Sequence, residues 1–121
     1  MIQTINETKS NALINNQINQ IINLINVGNF QDALLIGQSL EEVSGNNPDV
    51  LSIMGMLNEK LGSHKDAIRY FRKVVKIRPY CALSSYKLAN SLNLTGQQES
   101  AISSYKQAIR YKKNYADAHY G

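Results

Sequence analysis

Apolar residues recur along this chain at helical spacing. Ile14, Ile18, Ile21, Ile22 and Ile25 follow i, i+4, i+7, i+8, i+11, the stripe that one face of a helix buries. Asn and Gln fill most positions between them, and these are middling helix formers, so tertiary packing must hold this helix. After a turn at Gly28-Asn29, Leu34, Leu35 and Leu40 continue the apolar pattern in a second helix. Asn47-Pro48-Asp49 reads as a helix start: a polar cap, proline in the first turn and an acid near the positive helix end. That helix is predicted to run to about Leu61 and stop at Gly62. The next runs from about Lys65 to Ile77, with Ala67, Ile68, Phe71, Val74 and Val75 buried and Arg69, Arg72, Lys73 and Lys76 wet. Two more helices follow, joined at Thr95-Gly96.

The pattern repeats. Gly28, Gly62 and Gly96 are separated by 34 residues, and so are Ala33, Ala67 and Ala101. Around them the chain reads VGNFQDALLIG, LGSHKDAIRYF and TGQQESAISSY, without insertion. A fixed period of this length marks a stack of supersecondary units, each unable to bury its own apolar face.

The period and the alternation of small and large residues resemble the tetratricopeptide repeat family. That family pairs an apolar with a small residue in its first helix, as in Met54-Gly55 and Leu88-Ala89. It places a small residue early in the second helix (Ala33, Ala67, Ala101), then an aromatic (Phe71, Tyr105) and another small or apolar residue (Leu40, Val74, Ala108). Small side chains let antiparallel helices approach closely. Pro79 separates one repeat from the next, because proline lacks an N–H and disfavours helical geometry in the residue before it. The resemblance implies an all-α, right-handed solenoid of antiparallel helix pairs forming one array over residues 1–121. Residues 1–13 would be an N-terminal extension, 14–47 a degenerate first repeat, 48–81 and 82–115 the second and third, and 116–121 the start of a fourth. The first repeat departs from the pattern with Ile21 where a small residue is usual and Gly37 where an aromatic is usual. Gly45 and Lys113 stand where proline is usual. Because the chain stops within an apparent new helix, it is expected to be a fragment of a longer protein, and its uncapped end is expected to pair with another copy.

With 121 residues, a chain can bury roughly two thirds of its unfolded surface, enough for a core without disulfides or metals. The net charge of +4 is uneven. Residues 1–50 hold one base against five acids, and residues 51–121 hold twelve bases against four acids. Such asymmetry either coats a solvated face or steers an acidic partner. Cys81 is the one cysteine, which excludes an intrachain disulfide and suits a reducing compartment. The N-terminus lacks a basic start and clean apolar run, and no stretch approaches the about 20 apolar residues of a membrane span. A cytoplasmic location is expected. His64 and His119 are far apart and lack ligating neighbours, so no metal is expected. No phosphate-binding glycine motif or acid–base pair is present, so neither cofactor nor catalysis is expected in this segment.

The resemblance implies that the first helix of each pair lines a concave groove. Carried over by register, the groove residues are Asn15, Ile18, Asn19, Ile22, Ile25 and Asn26, then Asp49, Ser52, Ile53, Met56, Glu59 and Lys60. Leu83, Tyr86, Lys87, Asn90, Asn93 and Leu94 follow, with Asp117 and Tyr120 beginning another rung. Ile22, Ile53, Met56 and Tyr86 are apolar groups expected on an open surface, a common mark of partner sites. Lys87, Asn90 and Asn93 can hydrogen-bond a peptide backbone. With Asn19, Asn26 and Lys60, these form the expected site for a protein or peptide partner. The Lys/Asn clamp by which some family members hold chaperone tails is absent: its positions carry Ile18 and Ile22, or Ser52 and Met56. The asparagine ladder of the O-linked sugar transferases is reduced to Asn19, with Ile53 and Lys87 at the other rungs. The expected function is an interaction scaffold, or alternatively the recruiting arm of a larger enzyme such as a glycosyl- or sulfotransferase. Tyr70, Tyr105 and Tyr111 interleave with bases, but no recognition motif accompanies them, so nucleic acid is disfavoured.

Overall fold

The computed structural model describes the backbone of residues 2–120 and the side chains of residues 11–112. Within those bounds the chain forms helices without strands: α1 (Ile2–Asn26), α2 (Phe30–Ser44), α3 (Pro48–Lys60), α4 (His64–Ile77), α5 (Ala82–Leu94) and α6 (Gln98–Tyr120). Their packing is sequential, α1 on α2, α2 on α3, and so on to α6.

The turns inside the three pairs share one chemistry. Gly28, Gly62 and Gly96 all have φ near +80°, a region that only glycine enters freely. After the first helix of each pair the same two bonds recur. Gly28 N–H donates to Ile25 and Asn29 N–H to Leu24, Gly62 to Glu59 and Ser63 to Asn58, Gly96 to Asn93 and Gln97 to Leu92. These satisfy the last carbonyls of each helix in a Schellman motif. At the start of α3, Asn47 Oδ1 accepts from the N–H of Asp49 at 2.9 Å and of Val50 at 3.4 Å, with Pro48 in the first turn.

Two helices are longer than their sequence signals indicate. α1 begins at Ile2, so residues 2–13 continue it rather than precede it. α6 is continuous to Tyr120, across the expected break at Ala116. The physical reason is common to both: no Gly or Pro interrupts 2–26 or 98–120, and Lys113 replaces the proline that stops α4 one period earlier. The side chains of Asp117, His119 and Tyr120 lie outside the described residues.

The core is two clusters joined through Met56. Ile21, Ala33, Leu40, Leu51, Met54 and Leu57 unite α1, α2 and α3, with Tyr70 and Val74 reaching in from α4. Ala67, Ile68, Phe71, Leu88, Leu92 and Ala101 unite α4, α5 and α6. Tyr70, absent from the expected stripe, is buried, and its hydroxyl donates to Glu41 at 2.7 Å, tying α4 to α2. Leu35, placed in the apolar pattern of α2, is 64% exposed because Ala33, Gly37 and Leu40 occupy the inward face.

The irregular first repeat keeps the same contact with its sizes exchanged. In α3 and α4, Gly55 faces the Phe71 ring so closely that a Cβ would meet Cε1 at 2.6 Å. One period earlier the large residue is Ile21 and the small one Gly37, and Met54 from α3 fills the space over Gly37. Each arrangement fills the crossing, which is what close packing demands.

Candidate functional site

The first helices of the pairs border two hollows. Asn15, Ile18, Asn19 and Ile22 of α1 face Asp49, Ser52, Ile53 and Met56 of α3 around a hollow of about 470 Å³. The spacing i, i+3, i+4, i+7 in each helix puts these residues on one face. Ile22 and the half-buried Met56 supply apolar surface, and Asn15, Asn19 and Asp49 supply polar atoms. Ile53 is only 5% exposed and belongs to the core. It floors the hollow instead of projecting from it, because α1 packs across α3 at that point.

A second hollow, of about 410 Å³, lies between α3 and α5, with His64 of α4 closing it. Glu59 and Lys60 come from α3, and Asn90, Asn93 and Leu94 from α5. Its polar groups are partly committed. Ser91 Oγ donates to the Glu59 carboxylate at 3.2 Å. The Tyr105 hydroxyl donates to Asn90 Oδ1, which leaves the Asn90 amide hydrogens to donate elsewhere. His64 Nδ1 is buried without a partner among the described residues.

The structure therefore brings Asn19, Ile22, Ile53 and Met56 together, and separately Lys60, Asn90 and Asn93. Tyr86 is not with them. It lines a third depression between α5 and α6, where its ring meets Tyr105 edge-on at 5.8 Å. Asn26 is exposed in the last turn of α1 and Lys87 is half-buried on α5, and neither borders these hollows. Nothing in the sequence pattern marks His64 as a site residue. Its place at the start of the second helix hides its proximity to α5, which only the stacking of pairs creates.

Tyr70 is buried, and Tyr105 is half-buried with its hydroxyl engaged. Burial, then the hydrogen bond to Glu41 and that carboxylate's charge, push the Tyr70 phenol up to about 12. Cys81 sits at the N-cap of α5. Burial raises its thiol pKa, but the nearby hydroxyl and N–H of Ser84, the N–H of Leu83 and the charge of Arg78 favour the thiolate and outweigh this, leaving the thiol below its ordinary value. Among the described residues, no three His, Cys, Asp or Glu side chains gather where a metal would sit. No described helix is long and apolar enough to cross a membrane.

Antiparallel helix pairs stacked at one period, with hollows between their first helices, define a helical-repeat scaffold. The chain belongs to the tetratricopeptide repeat family: residues 48–81 match a tetratricopeptide repeat model and residues 89–121 a TPR repeat model. Solved structures agree in fold. MamA superposes with a TM-score of 0.77 at 23% identity, over 88% of this chain and 58% of that one. MamA from MSR-1 gives 0.75 at 20% identity, over 84% and 59%. The type III secretion translocator chaperone SycD of Yersinia enterocolitica gives 0.76 at 17% identity, over 84% and 76%. The chain thus spans under three fifths of the length of these MamA structures. No curated protein sequence matches it.

Proposed function

We propose that this chain is a protein-binding scaffold holding a peptide or helix of a partner along the groove formed by α1, α3 and α5. The repeat frame 14–47, 48–81 and 82–115 supplies one rung of that groove per pair. The observation that supports it best is the pairing of two adjoining hollows. The first offers Ile22 and Met56 for apolar side chains, and the second offers Lys60, Asn90 and Asn93 for backbone carbonyls or carboxylates. A bound segment can then be gripped by side chain and by backbone at once. Its work on this reading is recruitment, in a cytoplasmic setting, alone or as the arm of a larger enzyme.

The test is capture of a partner by the intact chain and by variants. Ile22→Asp, at an exposed position lining the first hollow, is expected to weaken binding about tenfold or more, since it sets a charge where the partner needs apolar surface. Arg72→Glu, exposed on α4, is expected to leave it within about twofold. Equal retention by Ile22→Asp and the unaltered chain refutes the groove.

A further inference from the structure

We propose that the outer flank of α4 and α6 is a docking surface for a membrane leaflet rich in anionic phospholipid. The groove is lined by first helices and this flank lies on second helices, so the two surfaces are distinct. In α4, Lys65, Arg69, Arg72, Lys73 and Lys76 follow i, i+4, i+7, i+8, i+11, and all are exposed. They are the polar counterpart of the buried Ala67, Ile68, Phe71 and Val74. Bases at these intervals are neighbours on the helix surface and repel one another, whereas a merely solvated face mixes the two signs. Arg69 meets Asp66 at 3.6 Å and Arg78 meets Asp49 at 3.0 Å. Arg72, Lys73 and Lys76 have no acid at ion-pair distance among the described side chains. One period on, Lys106 stands for Arg72 and Arg110 for Lys76, both exposed and likewise without an acid. The pull of a helix's negative end on bases does not account for these two, because α6 continues past Arg110 to Tyr120 and that pull fades within the last turn.

Shape and two apolar neighbours decide the occupant. Stacking leaves the flank uncovered: α4 packs between α3 and α5, yet Arg72, Lys73 and Lys76 stay exposed. Neither groove hollow nor the α5–α6 depression is bordered by these bases or by Lys106 and Arg110. The flank thus offers no recess for the side chains of a peptide. A leaflet is itself flat, and each base near its surface adds to the attraction. Ile77, beside Lys76 and one turn from Lys73, is 46% exposed, and Tyr80 just beyond it is 79% exposed. A polyanion that offers charge alone leaves Ile77 in water, whereas the headgroup region takes up both an aliphatic side chain and an amphipathic ring. At the positions of Arg72 and Lys76, α2 carries Gln38 and Glu42, which confines the footprint to α4 and α6.

The test is co-sedimentation of the full chain with vesicles of phosphatidylcholine alone and of phosphatidylcholine mixed with phosphatidylserine. Binding is expected only to the phosphatidylserine vesicles and is expected to fall as salt is added. Combining Arg72→Gln, Lys73→Gln and Lys76→Gln, all at exposed positions, is expected to lower partitioning about a hundredfold with the helical circular dichroism unchanged. Lys106→Gln with Arg110→Gln is expected to lower it about tenfold or more. Tyr80→Ser is expected to weaken binding severalfold while its salt dependence stays the same. Ile22→Asp, in the groove, is expected to leave it unaltered. Equal binding to both kinds of vesicle overturns the proposal, as does no binding to phosphatidylserine vesicles at low salt, undiminished binding by the α4 or the α6 variant, or loss of binding with Ile22→Asp. Duplex DNA or polyglutamate that holds the chain more tightly than the vesicles at matched negative charge also overturns it, since a nucleic acid or an acidic protein would then be the occupant.

Discussion

At residue scale the repeat is a rule about paired volumes rather than about single positions. Ile21 and Gly37 each break the family pattern, yet together they preserve it, because the large side chain has moved to the opposite helix. Sequence comparison taken one position at a time registers two defects where packing registers one exchange. In the regular arrangement the ring of Phe71 is nearly inaccessible to solvent and cannot yield to a Cβ on Gly55. Gly55→Ala is therefore expected to destabilise the chain by about 1–3 kcal/mol, the range for overpacking a core. Adding Phe71→Leu should recover part of that loss. Urea unfolding of both single variants and the double variant measures the coupling, and strict additivity would contradict direct contact. Tyr70 supplies a second prediction. Its ordinary pKa of 10.0 applies to the unfolded chain, and its folded pKa is raised to about 12. The neutral phenol's stabilisation is thus complete below 10.0 and is lost as pH rises toward about 12. Alkaline unfolding should shift when Tyr70→Phe removes this ionisation, and an unchanged curve would deny the phenol that role.

At the scale of elements, the turns were legible and the helix ends were less so. Three glycines at one interval forecast three identical stops, and each caps a helix with φ near +80°. Gly62→Ala forces a Cβ into that conformation, although space around it is open. The expected loss is about 1–2 kcal/mol, with Gly62→Asn recovering some of it because asparagine tolerates the left-handed region. Calorimetry that finds Gly62→Ala as stable as the unaltered chain would contradict the Schellman reading. The ends of α1 and α6 escaped the sequence reading for the converse reason. A family frame expects a boundary, but without Gly or Pro the backbone has no local cause to stop. The buried stripe of α4 is legible except at Val75, which is half-buried, and at Tyr70, whose hydroxyl is bonded to Glu41 29 residues away and so has no local signature.

Across the whole molecule, the two ends differ in chemistry as well as in charge. Asn16, Gln17, Gln20 and Asn23 are exposed on α1, while Tyr86, Ile102 and Ile109 are exposed on α5 and α6, a contrast visible only once positions are compared one and two periods apart. Candidate groove residues were placed by register, and that separates them unevenly. Asn19, Ile22, Ile53 and Met56 meet because α1 lies across α3. Tyr86 turns toward α6 because Tyr105 offers its ring an edge-on partner, a preference of aromatic pairs that no helical register encodes. Ile53 lies under the hollow because neighbouring pairs cover its flank, and Lys87, one residue beyond Tyr86, borders neither hollow. The account stands on the groove of first helices being where a partner is held. A photo-crosslinking amino acid placed in turn at Ser52, Asn93 and the outward Lys73, with a captured partner, tests this most directly. Adducts are predicted from Ser52 and Asn93 and not from Lys73; adducts from Lys73 alone would contradict it.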